Sequence, residues 1–233
     1  MKLKTLLYLS FASILLSCGG ENSQEGGDES NKYVHIPPEL PQEVYANLQQ
    51  GDCILRKGNG PLSYHLMNTT KEDYSHCGVI VKEGEDWKVI HTLGGSASED
   101  EVDGVQMCSI DEFAQFAADS MLFICRPVFM DSAGTKVAER ARYYYDQKTP
   151  FDHSFSLFST DELYCSELLF VIFRDVYGKN VMDIQKKHKS YMIMFSTFFD
   201  ENRFTPVYHL KPDPADWYVP HDYSIPEEGE EKV

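Results

Sequence analysis

Residues 75–93 restrict the fold of this chain more than any other stretch. They read SHCGVIVKE, then Gly84 and Glu85, then DWKVIHTL. Both runs are rich in β-branched and aromatic side chains, and each has the length of a strand rather than a helix. A glycine at the first central position suits a two-residue type II′ turn, whose twist matches that of the strands it joins. That turn fixes the register: Glu83 faces Asp86, His91 faces Gly78 and His76 faces Leu93. Positions on one face of a sheet step by two, so all four of His76, Gly78, His91 and Leu93 share a face. His76 and His91 then lie diagonally across the hairpin, about 7–8 Å apart at the backbone and within reach of one another. Gly78 leaves room for His91 to lean across. A four-residue loop would keep this parity, whereas three or five residues would destroy it. Two imidazoles so placed can act as a base and the partner that fixes its tautomer. The spacing also admits two unrelated strand histidines, one satisfied by a backbone carbonyl.

Around the hairpin, strands are predicted at Asp52–Lys57, Val105–Cys108, Met121–Val128 and Thr205–His209. Helices are predicted at Pro61–Thr70, Asp111–Ala118 (capped by Ser109 or Asp111), Ala133–Asp146 and Leu163–Tyr177, the last ended by Gly178. Short strands grouped in the middle with helices before and after them indicate an α+β fold, a central antiparallel sheet packed against helices.

The N-terminus has the pattern of an export signal. Lys2 and Lys4 precede an apolar stretch, Leu6 to Leu16, which is too short to span a bilayer. It runs into Leu15-Leu16-Ser17-Cys18-Gly19, which resembles a bacterial lipobox with Cys18 as the lipidated first mature residue. The expected organisation is a signal peptide over 1–17, a flexible Gly-, Ser- and acid-rich tether over 18–40, a globular domain over 41–210, and a Pro- and acid-rich tail over 211–233. This implies a lipid-anchored protein of the cell envelope, attached to a membrane, with the outer membrane favoured, through Cys18. The net charge is −16, so nucleic acid is not an expected partner.

Besides Cys18 the chain has Cys53, Cys77, Cys108, Cys125 and Cys165. Five is odd, so at least one thiol stays free or pairs with another chain. Cys53, Cys77 and Cys125 lie in apolar strand runs, where a small buried cysteine is the ordinary reading. No metal is expected, since Cys/His spacings of zinc-site type are absent and the adjacent His76 and Cys77 point to opposite faces of a strand. Cys165 opens the run LYCSELLFVIF. It shares a helical face with Leu168, Leu169, Ile172 and Val176 and so fits a core position. It also lies near a helix start, where free N–H groups and the helix dipole favour a thiolate. Asp161 and Glu162 oppose this, because nearby carboxylates raise a thiol pKa. A capping box from Ser159 to Glu162 would start the helix earlier and move Cys165 to its second turn. On these residues alone Cys165 is either a core residue or a nucleophile.

The ordered motifs decide between them by resemblance. Gly51-Asp52-x-Ile54-x-Arg56, Ser75-His76-x-Gly78-Val79, Val89-Ile90-His91, Phe151-Asp152 and Tyr164-Cys165-Ser166-Glu167-Leu168 together resemble the YiiX/YaeF-type permuted papain-like hydrolases of the NlpC superfamily. The likeness covers about residues 45–180. It implies a circularly permuted papain-like fold, with Cys165 as nucleophile and His76 as general base. The third polar position of that branch is commonly Glu, and here it carries His91 as the orienting residue. Tyr164, Glu167 and Asp52 match motif positions and are expected in the substrate-pocket wall or its scaffold. The implied chemistry is amide hydrolysis through a Cys165 thioester, without a cofactor, on peptides or small amides of cell-wall type. Two other readings use the same residues: a thioesterase or acyltransferase acting on lipid, and a binding lipoprotein that has lost activity.

Overall fold

The structure, a computed structural model, describes residues 37–97, 102–128, 133–157, 161–187 and 190–211. The signal peptide, Cys18, the tether up to residue 36, Ser159 and the tail beyond residue 211 lie outside the described residues.

Six strands form one antiparallel sheet: β1 (Cys53–Arg56), β2 (His76–Glu83), β3 (Asp86–Leu93), β4 (Gly104–Ser109), β5 (Leu122–Pro127) and, past a separate hairpin, β8 (Phe204–Leu210). Their order across the sheet is β4-β3-β2-β1-β5-β8. The β2–β3 hairpin pairs Gly78 with His91 and Glu83 with Asp86, as the two-residue turn requires. Gly84 takes φ +61°, and Glu85 is not among the residues of positive φ, the combination that a type II′ turn needs. The helices are α1 (Gln42–Asn47), α2 (Pro61–Thr70), α3 (Ile110–Ala114), α4 (Gly134–Asp146) and α5 (Cys165–Tyr177). This is the α+β arrangement expected, with helices on both faces of the sheet.

Strand alternation divides the core. On one face Cys53, Leu55, Cys77, Val79, Val81, Phe123 and Cys125 pack against α4 and α5, which supply Val137, Ala141, Leu168 and Ile172. On the other face Ile54, Ile80, Val89, Leu122 and Ile124 pack against Val44 of α1 and Ile110 and Phe113 of α3. The glycine of the Gly51-Asp52 motif is required twice over. Its φ is +87°, and a Cβ there would lie 2.8 Å from the Gly134 carbonyl oxygen, so only glycine lets β1 meet the start of α4.

Several elements differ from the sequence expectation for local reasons. Ser109 caps α3, its hydroxyl accepting from the Glu112 amide at 3.0 Å. The helix ends at Ala114, and a 3₁₀ turn follows in which Asp119 takes φ 50°. Helix α5 begins at Cys165 rather than Leu163, because Tyr164 is extended (φ −91°, ψ 172°) and acts as the N-cap. Gly178 ends it in the left-handed conformation, its N–H donating to the Arg174 carbonyl at 2.8 Å. Helix α1 is too short, at six residues, for its one buried residue Val44 to show a period, and the hairpin of β6 (Ile184–Lys187) and β7 (Ser190–Ile193) carries no periodic apolar pattern, so the sequence predicts neither. β8 accommodates Pro206 on the sheet edge, beside a register shift in β5.

Candidate active site

The hairpin brings the two histidines together. His76 Nε2 lies 3.0 Å from His91 Nδ1, and the rings meet edge to face. Both side chains are buried. Phe113 from α3 is the surface on which they sit: His76 stacks on it at 5.4 Å, and His91 meets it edge-on at 5.4 Å. Gly78 makes this possible, since a Cβ there would lie 2.5 Å from Val89 Cγ1 and 3.1 Å from His91 Cβ. The other nitrogen of His91, Nε2, contacts Cys108 Sγ at 3.3 Å. A row of groups thus runs Cys108–His91–His76, and among the described residues Nδ1 of His76 makes no hydrogen bond.

Burial holds both imidazoles in the neutral form. It pushes the His91 pKa down to about 3, helped by the Arg56 charge. His76 is also pushed well below the usual imidazole range, first by burial, then by Arg56 and His91. Arg56 pairs directly with His76 across β1 and β2, so the two share a face. Its guanidinium lies over the Phe113 ring at 4.5 Å, and Nη1 donates to the Phe113 carbonyl.

Cys165 occupies the first turn of α5, in the position where amide N–H groups have no intrahelical partner. Its thiol contacts the carbonyl oxygen of Ser75, the residue before His76, at 3.7 Å. Cys77 flanks it from the face of the sheet that α4 and α5 cover, opposite the face on which the histidines meet Phe113. The Cys165 thiol is the more acidic of the two. The Cys77 S–H donating to it is the largest cause, and the amides of Ser166 and Cys77 and the Arg56 charge add to this against the effect of burial. Cys77 itself is pushed up, by burial and by its neighbour. The expected pull of Asp161 and Glu162 is not among the causes acting on Cys165. The structure therefore joins His76 to His91 and places Cys165 against the peptide that carries His76. It makes no hydrogen bond between either imidazole and the Cys165 thiol among the described residues.

The three motif residues expected around the pocket are all buried, in different roles. Asp52 accepts from Arg126 Nε at 2.7 Å and Nη2 at 2.8 Å, and from the Gln49 amide at 2.8 Å. It is scaffold, tying β1 to β5. Tyr164 packs its ring against Phe155 at 5.4 Å and holds the approach to α5. Glu167 accepts weakly from the Tyr164 amide at 3.4 Å, while its Oε1 is buried without a hydrogen bond among the described residues. Burial raises the Glu167 pKa to about 8, so the carboxyl is mainly protonated at neutral pH. Asp152 accepts from the Ser154 and Ser156 amides, each at 2.7 Å, and folds the loop ahead of α5.

Arg56, Cys108 and Phe113 complete the surroundings of the histidines, and sequence reasoning assigned none of them to the site. Arg56 belongs to the Gly51-Asp52-x-Ile54-x-Arg56 motif, and the strand pairing that places it opposite His76 is the signal that marks it. Cys108 pairs with Val89, two positions from His91. That register depends on the irregular connection between β3 and β4, which no turn rule fixes.

No family model matches the chain, and no curated protein matches it. Among solved structures, it is similar to the metalloprotein YiiX from Escherichia coli O157:H7, with a TM-score of 0.60 and 20% identity over 71% of this chain and 99% of that one. The chain therefore has a YiiX-type fold. No group of three His, Cys, Asp or Glu among the described residues is placed to hold a metal ion. His91 bonds His76 through one nitrogen and Cys108 through the other, so the three side chains form a row rather than converge on a point.

Proposed function

We propose that this chain is a cysteine hydrolase of the circularly permuted papain-like, NlpC type, which cleaves amide bonds in cell-envelope peptides through a thioester on Cys165. We include in this reading a lipid anchor on Cys18 that holds the enzyme in the cell envelope. The observation that carries the proposal is the Cys165 thiol at the start of α5, made more acidic by its surroundings and set 3.7 Å from the carbonyl preceding His76.

The hydrogen bonds of the histidines suit a base. Among the described residues His76 Nδ1 makes no hydrogen bond, while Nε2 is bonded to His91 Nδ1. If Nε2 carries the proton, Nδ1 has its lone pair available for the thiol proton. His91 must then accept at Nδ1 and carry its own proton on Nε2, which faces the Cys108 sulfur. One tautomer of each ring satisfies every contact in the row. Contacts of this kind are often long in a free enzyme and tighten when substrate binds. His76 takes the Cys165 proton, the thiolate attacks the amide carbon, and the C–N bond breaks as His76 returns the proton to the leaving amine. Water deprotonated by His76 then attacks the thioester, which releases the acid and restores the thiol. The free amides at the start of α5 face the developing oxyanion.

Turnover of cell-wall peptide amides and of acyl esters, read by mass spectrometry for wild type beside Cys165→Ala, tests this. Amide cleavage lost in the variant supports the reading. Cleavage that survives in Cys165→Ala, or esters as the only substrates, contradicts it.

A further inference from the structure

The chain has six arginines, and five of them pair with carboxylates: Arg126 with Asp52, Arg140 and Arg174 with Asp175, Arg142 with Glu83, and Arg203 with Asp183 and Asp200. The exception is the most deeply placed. Arg56 is 6% exposed and makes no ion pair among the described residues. A buried cation without a counter-ion is costly, and one left so in a chain of net charge −16 calls for an explanation. Its hydrogen bonding narrows the explanation. Nη1 donates to the Phe113 carbonyl, at one end of the guanidinium. At the other edge Nε is buried with no acceptor among the described residues. The Nε–Nη2 edge is the fork that grips the two oxygens of a carboxylate in parallel hydrogen bonds.

The position of this fork gives it a use. Arg56 stands opposite His76 in the sheet, and its charge is felt by both Cys165 and Cys108. It is flanked by Phe113 at 4.5 Å and by half-buried Phe116 at 5.2 Å. A carboxylate, whose two oxygens lie in one plane, matches the parallel donors of this edge. We propose that Arg56 is a carboxylate-binding subsite, and that the substrate carries a free carboxylate close to the bond that is cleaved. This rests on the reading of Cys165 as the nucleophile.

Two alkylating reagents of nearly the same size separate the possibilities without knowledge of the substrate. Iodoacetamide is neutral and iodoacetate carries a carboxylate; each forms an S–CH2 bond to a thiolate and releases iodide. The rates at Cys165, located by peptide mass spectrometry, give a ratio to be compared with the same ratio at glutathione. A ratio raised about tenfold in favour of iodoacetate, the scale of one charge-assisted contact, is the expected result. Arg56→Gln should bring the ratio back to that of glutathione, and Arg56→Lys should keep part of it. If Cys165 reacts with iodoacetamide but the ratio equals that of glutathione, Arg56 binds no carboxylate, whereas the nucleophile reading stands. The wild-type ratio decides this even if Arg56→Gln does not fold. If Cys165 reacts with neither reagent, the nucleophile reading fails. The subsite is then judged with acetate alone: a rise in Tm at constant ionic strength that Arg56→Lys diminishes supports it, and no rise overturns it.

Discussion

Cys108 closes the row of proton-bearing groups, 3.3 Å from His91 Nε2, and its replacement has a specific consequence. In Cys108→Ala the His91 N–H loses its acceptor. The ring is then free to carry its proton on Nδ1 and donate to His76, which forces the His76 proton onto Nδ1, the nitrogen needed as base. The expected outcome is a fall in kcat of about 10- to 100-fold, with Cys108→Ser close to wild type. Nitrogen chemical shifts of the two imidazoles check it, since they report the tautomers directly and are unaffected by a merely structural loss. A second outcome concerns pH. A base must be neutral to act, and the His76 pKa is held well below 6.5. Activity should therefore persist below pH 6.5 and fall only in more acidic solution, and Arg56→Gln should move that acid limb upward. A pH–rate profile of kcat/KM for the two proteins measures the shift. At this scale the sequence was informative for His76 and His91, because strand parity fixes their face. It was silent on which side of the sheet meets Cys165, because that depends on how α5 docks.

At the scale of elements, the β2–β3 hairpin and α5 carry the site. Gly78→Ala would drive a methyl group into Val89 and the Ile90 carbonyl, at 2.5 and 2.9 Å. The expected destabilisation is about 1–3 kcal/mol, measured by denaturant unfolding, with the His76–His91 contact disturbed. In α5, Glu167 has a folded pKa of about 8 against an ordinary value of 4.5. The native state therefore binds a proton that the unfolded chain has released. Its contribution to stability is fully present below pH 4.5 and declines as the pH rises to about 8, by up to about 1.4 kcal/mol per pH unit. Glu167→Gln should remove this decline and make the protein more stable than wild type above pH 8, which thermal unfolding across pH would read. The hairpin was legible because a two-residue turn admits one register. The start of α5 was not, because Tyr164 supplies the cap by its extended backbone rather than by a side-chain type that a capping rule recognises. The polar β6–β7 hairpin was illegible for the opposite reason, since Ile184–Lys187 is exposed along nearly its whole length and has no core-facing period.

For the whole molecule, the sheet separates two cores and the site lies where its strand ends meet α5. The buried neutral histidines couple this arrangement to pH. His91, with its pKa pushed down to about 3, binds a proton more readily in the unfolded chain. Its contribution to stability is present above pH 6.5 and is lost as the pH falls towards 3. Acid unfolding of His91→Phe should begin at lower pH than that of wild type. The YiiX-type architecture was legible from motif order along the chain, since Ser75-His76 and Tyr164-Cys165 occupy a strand start and a helix start that the fold brings together, while Gly51-Asp52, at the start of the antiparallel β1, lies beside Ile80 at the other end. The chemistry of that end depends on Cys165 carrying an acyl group. Incubation with p-nitrophenyl acetate, followed by peptide mass spectrometry, measures this most directly. The expected result is a transient acetyl group on Cys165 that forms and clears in wild type and forms more slowly in His76→Ala. Acetylation at Cys108 in place of Cys165, or an unmodified Cys165 while ester is consumed, would contradict the assignment of the nucleophile.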